Sequence, residues 1–243
     1  MNSILDILFP PRCMFCKNII HKGQSRCVCG TCEGMLELIE NFCEVCGAPL
    51  TEDGICECSG EDYAFSKSRS FAVYDEIAKT LIHDLKFRKR PEYGEKIIDY
   101  LISNHADLSF AADADIIIPV PLHKKRERKR GYNQTAVLGA ELGRKLQKPC
   151  FEKALKKIKD TLPQSDLSGE ERRKNISGAY SVRDKDAVNG KIILLIDDVF
   201  TTGSTLNECA QTLLNAGAHK IYCFTVAKTV KAKTVKVKTV KQL

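Results

Sequence analysis

The chain has 243 residues, 43% hydrophobic and 28% charged, with a formal net charge of +7. That length suits one medium domain plus a small one, and the composition excludes a disordered or fibrous chain. No window approaches the roughly 20 apolar residues of a membrane span, so the protein is not expected to cross a membrane itself.

Cysteine usage divides the sequence. Nine of the twelve cysteines fall between Cys13 and Cys58, leaving Cys150, Cys209 and Cys223 for the rest. Ile4–Phe9 is too short an apolar run for a secretory leader and meets Pro10–Pro11. A cytoplasmic location is therefore expected, and reduced, clustered thiols favour metal over disulfides. The pairs read Cys13-x2-Cys16, Cys29-x2-Cys32, Cys43-x2-Cys46 and Cys56-x-Cys58.

A Cys-x2-Cys turn holds two thiolates at the separation that tetrahedral zinc needs. Two structural zinc ions are expected, one on Cys13, Cys16, Cys29 and Cys32, the other on Cys43, Cys46, Cys56 and Cys58. Spacing alone leaves an interleaved pairing open. Cys27 is a ninth thiol able to replace a neighbour, and the one-residue gap of the last pair strains its knuckle. His21 reads as a surface residue. A segment this poor in core residues should fold only with its metal.

From Phe71 the texture changes. Phe71–Tyr74 suits a strand, Glu76–Phe87 places Ile77, Leu81, Ile82 and Leu85 at helical spacing, and Glu95–Ile102 reads as a second helix. Ile116–Val120 is a continuous apolar run, as in a strand buried on both faces. Residues 134–147 predict a helix, Lys191–Ile196 a second buried strand, Leu206–Ala216 a helix ended by Gly217, and Ile221–Val226 a third strand. This alternation predicts an α/β domain with a mostly parallel sheet flanked by helices. Three regions are expected: a cysteine module over 1–62, the α/β domain over 63–228, and a basic low-complexity tail over 229–243.

Two segments carry chemistry. After the strand at Ile116, Pro119-Val120-Pro121-Leu122-His123 runs into Lys124-Lys125-Arg126-Glu127-Arg128-Lys129-Arg130-Gly131-Tyr132-Asn133-Gln134. Prolines around Val120 stop the strand, and the basic run suits a diphosphate or a nucleic-acid backbone. Its plain alternative is a solvated charged helix start. The second segment is Ile192–Ile196 followed by Asp197-Asp198-Val199-Phe200-Thr201-Thr202-Gly203-Ser204-Thr205. Here a buried strand ends in an acidic pair and a hydroxyl-rich loop that opens a helix. Ligands of α/β sheets bind beyond the carboxyl ends of strands, and a helix N-terminus offers unpaired N–H groups to a phosphate. Adjacent carboxylates grip a phosphate poorly but suit the vicinal hydroxyls of a ribose. An ordinary strand–turn–helix with a polar N-cap is the bland alternative.

The acidic-pair segment resembles the 5-phosphoribosyl diphosphate (PRPP) motif of type I phosphoribosyltransferases. Together with Pro119–His123, the basic run, Arg130–Gln134, and Thr161, Gln164, Glu171-Arg172, Asn175 and Ala179-Tyr180, the chain resembles the ComF (ComFC) family over about residues 10–228. That resemblance implies a type I phosphoribosyltransferase fold with a small N-terminal double zinc ribbon. Implied roles follow by position. Asp197 and Asp198 would meet the ribose hydroxyls and, with Arg172, count as catalytic. Thr201, Thr202, Gly203, Ser204 and Thr205 would cradle the 5-phosphate, and Val120, Pro121, Leu122, His123 and Lys124 the diphosphate with magnesium. Lys125, Arg126, Arg128, Lys129, Arg130 and Tyr132 would contact single-stranded DNA. The family resemblance further implies natural competence, at the inner face of the membrane, beside a helicase-like partner. Phosphoribosyl transfer to an unassigned acceptor and non-catalytic DNA binding with PRPP as a sensor or structural ligand are both open.

Overall fold

The computed structural model describes residues 10–20, 27–56, 58, 62–87, 91–104, 108–161 and 169–230, apart from the side chains of 103, 104, 169, 170, 172 and 173. Ile4–Phe9, His21, Gln164 and the tail from 231 lie outside the described residues, as does the Arg172 side chain.

Four strands form one parallel sheet in the order β1 (Lys67–Val73), β6 (Lys220–Lys228), β5 (Ile192–Phe200) and β2 (Ile116–Pro119). A two-stranded antiparallel sheet, β3 (Leu155–Lys157) with β4 (Tyr180–Val182), stands apart. Helices α1 (Gly30–Glu33), α2 (Glu76–Phe87), α3 (Glu92–Asn104), α4 (Lys124–Arg130), α5 (Gln134–Leu146), α6 (Gly169–Ile176) and α7 (Ser204–Asn215) complete the fold.

Strand β5 shows why the sheet is central. Ile193, Leu194, Leu195 and Ile196 are all fully buried. Successive side chains of a strand point to opposite faces. Leu194 and Ile196 therefore join Leu81, Ile97 and Leu138 from α2, α3 and α5. Ile193 and Leu195 join Leu206, Cys209 and Leu213 of α7 on the other face. The sheet is thus covered on both sides, as its unbroken apolar runs require.

Several elements differ from the sequence reading. Strand β1 starts at Lys67, before the predicted Phe71, because polar Ser68 and Ser70 are buried in it. Ser70 Oγ meets Thr225 Oγ1 of β6 at 2.7 Å. Strand β5 continues past Ile196 through the acidic pair to Phe200, paired along β6 by Asp197 with Thr225 and Val199 with Ala227. The β3–β4 pair and helices α4 and α6 carry too little apolar periodicity to be read in advance.

The cysteine segment repeats one turn twice. Cys13 O accepts from Lys17 N at 3.1 Å and Cys43 O from Gly47 N at 2.8 Å, with positive φ at Lys17 and Gly47. A Cβ on Gly47 would lie 2.7 Å from Ser68 O, so glycine lets this turn rest on β1. Cys13, Cys29 and Cys32 share the core of α2 and α3, and Cys46 packs with Phe65 and Phe200 on the opposite face. Lys17 Nζ reaches the buried Asp84 carboxylate of α2 at 2.9 Å.

Candidate functional site

At the carboxyl ends of β2 and β5 lies a cavity of about 370 Å³. Position follows from topology, because parallel strands deliver their following loops to one edge. Val120, Pro121 and Leu122 leave β2 along one wall, and Asp197 to Phe200 end β5 along another. Val120 N donates to Ile196 O at 2.8 Å, which fixes the two strand ends together. Val120 O in turn accepts from Asn133 Nδ2 at 3.1 Å and Thr135 Oγ1 at 2.5 Å, anchoring the start of α5.

The acidic pair is asymmetric. Asp198 is buried, with Oδ1 accepting from Lys86 Nζ at 2.8 Å and Oδ2 from Gln134 Nε2 at 2.6 Å. Arg130 donates to Gln134 Oε1 behind it. Asp197 is partly exposed, and its Oδ1 accepts the Asp198 N–H at 2.8 Å. No described residue bonds its Oδ2. Desolvation in the cavity wall, then the adjacent Asp198 charge, push the Asp197 carboxyl up to about 7.

The hydroxyl-rich loop closes the cavity. Gly203, at φ 76°, caps α7 and lines the cavity with Thr201 and Thr205. Thr202 and Ser204 turn to a neighbouring hollow, their hydroxyl oxygens 2.8 Å apart. The loop therefore divides its expected phosphate contacts between two faces.

The basic run forms α4, capped by Gly131 in the left-handed region. Arg126 and Arg130, one turn apart, face the cavity, and Arg126 donates to Thr161 O. Lys124, Lys125, Arg128 and Lys129 are exposed on the outer side. His123 Nδ1 and Lys125 Nζ lie 3.4 and 3.3 Å from the Asp160 carboxylate, and neither they nor Lys124 line the cavity. Tyr132 OH donates to Leu85 O, and its ring packs on the main core.

Lys86, Lys157, Tyr180 and Phe200 line the cavity without having been assigned a role by the sequence. Lys157 is buried with its Nζ 5.3 Å from the Tyr180 ring centre, and desolvation pushes its ammonium pKa down. Each comes from a different element, so no local spacing marks them as a set.

The cysteines form two separate four-thiol groups. Cys13, Cys16, Cys29 and Cys32 hold their sulfurs within 4.8 Å of one another, as do Cys43, Cys46, Cys56 and Cys58. Pairing is thus consecutive, and Cys27 stands aside with Sγ 3.3 Å from Met14 Sδ. Sulfur separations of 3.6 Å for Cys16–Cys29 and 3.5 Å for both Cys43–Cys58 and Cys46–Cys56 fit the edge of a zinc–thiolate tetrahedron, about 3.8 Å for bonds of about 2.3 Å. Cys56 and Cys58 approach to 3.2 Å, the tightest edge, as their one-residue gap dictates. Both donor sets suit structural zinc.

Residues 4–59 match the double zinc ribbon domain family and residues 133–243 the phosphoribosyl transferase domain family. Competence protein F of Haemophilus influenzae is 31% identical over 225 residues, covering 89% of this chain and 96% of its own. DNA utilization protein YhgH of Escherichia coli K12 is 30% identical, over 91% and 98% of the two chains. Competence protein ComFC of Bacillus subtilis is 28% identical, over 83% and 84%. With this ribbon, this sheet and relatives aligned over nearly their full lengths, the chain belongs to the ComF family of double zinc ribbon, phosphoribosyltransferase-fold proteins.

Proposed function

We propose that the cavity binds PRPP with magnesium and that the protein works in DNA uptake, a role in keeping with relatives named for competence and for DNA utilization. One observation carries this reading: an acidic pair and Thr201, Gly203 and Thr205 of the helix-capping loop open on one cavity lined by four cations, Lys86, Arg126, Arg130 and Lys157. In this reading the 5-phosphate rests on the N–H groups of Thr201–Thr205, where the α7 dipole favours an anion. Asp197 and Asp198 accept from the ribose hydroxyls. The diphosphate runs past Val120–Leu122 toward Arg126 and Arg130, with Arg172 as a further partner. Magnesium, when bound, would neutralise diphosphate charge beside Asp197.

Transfer would then be attack of an acceptor on C1 as the C1–oxygen bond breaks and diphosphate leaves with the electron pair. The chain contributes position and preorganised charge rather than a covalent intermediate. Calorimetric titration of the zinc-loaded protein with PRPP and magnesium tests this reading. The native protein should bind, and an Asp197→Asn/Asp198→Asn double variant that remains folded should not. Absent binding by the native protein would leave the loop as architecture alone.

A second reading is favoured by the outer face of α4, where Lys124, Lys125, Arg128 and Lys129 stand exposed together. Such a face suits the backbone of single-stranded DNA, with PRPP then serving as a sensor or structural ligand. No helix among the described residues is long and apolar enough to cross a membrane. A place at the inner face of the membrane, beside a helicase-like partner, belongs to this second reading.

A further inference from the structure

We propose that Lys86 is a ligand-binding residue, its ammonium held at the cavity wall by Asp198 so as to meet an anionic oxygen of a ribose diphosphate. The proposal rests on the PRPP reading above and assigns a contact that the acidic pair and the loop do not supply.

Lys86 belongs to the last turn of α2, far in sequence from every motif of the site, yet it lines the cavity. Its side chain is 22% exposed where that of Asp198 is 7%, so Lys86 is the more open member of the pair. An ammonium has three N–H donors. Among the described residues Asp198 takes one of them, at 2.8 Å.

The other cavity cations are held by other groups. Arg130 donates to Gln134 Oε1 and Arg126 to Thr161 O, while Lys157 is buried against the Tyr180 ring. Lys86 keeps two of its three donors for a ligand, and of the four cations it is the one ion-paired with a carboxylate of the acidic pair. Asp198, with Lys86 on one oxygen and Gln134 on the other, is the more constrained of the pair and keeps one lone pair on each oxygen, whereas Asp197 keeps Oδ2 wholly for a hydroxyl. The Asp198 contact also directs the Lys86 ammonium before the anion arrives, so that little reorganisation is needed.

The alternative is a structural ion pair in which Lys86 matters only through Asp198. A double-mutant cycle separates the two. PRPP affinity at fixed magnesium would be measured for the zinc-loaded native protein and for Lys86→Met, Lys86→Arg, Asp198→Asn and Asp198→Asn/Lys86→Met. Thermal melts would establish that each is folded at the assay temperature. Loss of a charge-assisted contact should weaken Lys86→Met by about 10- to 100-fold. Lys86→Arg should recover most of that loss, and Lys86→Met should cost affinity again in the Asp198→Asn background.

The second background also covers the case in which Lys86→Met alone fails to fold, since removing both partners leaves no uncompensated buried charge. Equal affinity of Asp198→Asn and the double variant would overturn the proposal, showing that Lys86 acts only through Asp198. If the native protein binds no PRPP, the pocket reading and this inference fall together. Native binding with an unaffected Lys86→Met overturns this inference alone.

Discussion

Lys228 Nζ lies 3.2 Å from the centre of the Phe200 ring, and the pair joins the second cysteine group to the wall of the cavity. Lys228 is buried at the end of β6, within electrostatic reach of Cys46, Cys56, Cys58 and Cys43. A zinc ion on four thiolates keeps two net negative charges, which a buried ammonium partly offsets. Lys228→Met should therefore weaken zinc at this group by about 10- to 100-fold. Competition with a chelator, following zinc release per chain, should show one tightly held ion instead of two. Two equally retained ions would rule out this role for Lys228.

Gly203 cannot be replaced without moving the cavity floor. A Cβ there would lie 2.6 Å from Phe200 Cζ and 3.0 Å from Tyr63 Cε1, at a φ of 76°. Gly203→Ala should lose about 1–2 kcal/mol from backbone strain alone and should weaken PRPP binding as Phe200 shifts. Gly190 supplies the control, because its φ is also positive but a Cβ at that position would meet nothing within 4 Å. Gly190→Ala should show the strain in a thermal melt and leave affinity unchanged.

Asp197 gives the unliganded protein a pH dependence of predictable sign. Its folded-state value of about 7 exceeds the ordinary 3.8, so between these values the folded chain holds a proton that the unfolded chain has released. Stability linked to this group is full below the lower value and is lost as pH rises through the higher one. Asp198, Lys86 and Lys157 are the charges that face it. Asp197→Asn should thus melt with the native protein in acid. By about pH 8 it should melt about 2–4 °C higher, the shift that ~1 kcal/mol gives in a chain of this size. A constant difference across the range would refute this origin.

The two faces of α4 should separate by mutation. Replacing Lys124, Lys125, Arg128 and Lys129 by glutamine removes exposed charge but leaves Arg126 and Arg130 on the cavity. Single-stranded DNA affinity should fall and its salt dependence flatten, with PRPP affinity within about twofold of native. Unchanged DNA binding would place any nucleic-acid surface elsewhere on the protein.

How far the sequence reaches depends on whether the signal is local. Strand β5 and its loop were legible because the apolar run, the acidic pair and Gly203 are contiguous. The start of β1 was hidden by Ser68, Arg69 and Ser70, all buried, with Arg69 and Ser70 held by the long-range partners Ile39 O and Thr225. Cys-x2-Cys spacing showed the thiol pairs but not their grouping, which depends on how the turns pack on α2 and β1. The basic run was visible as charge, while its division between Arg126 and Arg130 and the exposed lysines needs the helical phase of α4. Lys86 and Lys157 reach the cavity only because α2 and the β3–β4 pair fold beside β5, and no neighbouring residue announces that.

The most direct measurement is a crystal structure of the zinc-loaded protein with ribose 5-phosphate. The phosphate should lie against the backbone N–H groups of Thr201–Thr205, with a ribose hydroxyl on Asp197. Phosphate bound along the outer face of α4, with the cavity between Asp197 and Val120 unchanged, would overturn the assignment of the cavity as the ribose phosphate site.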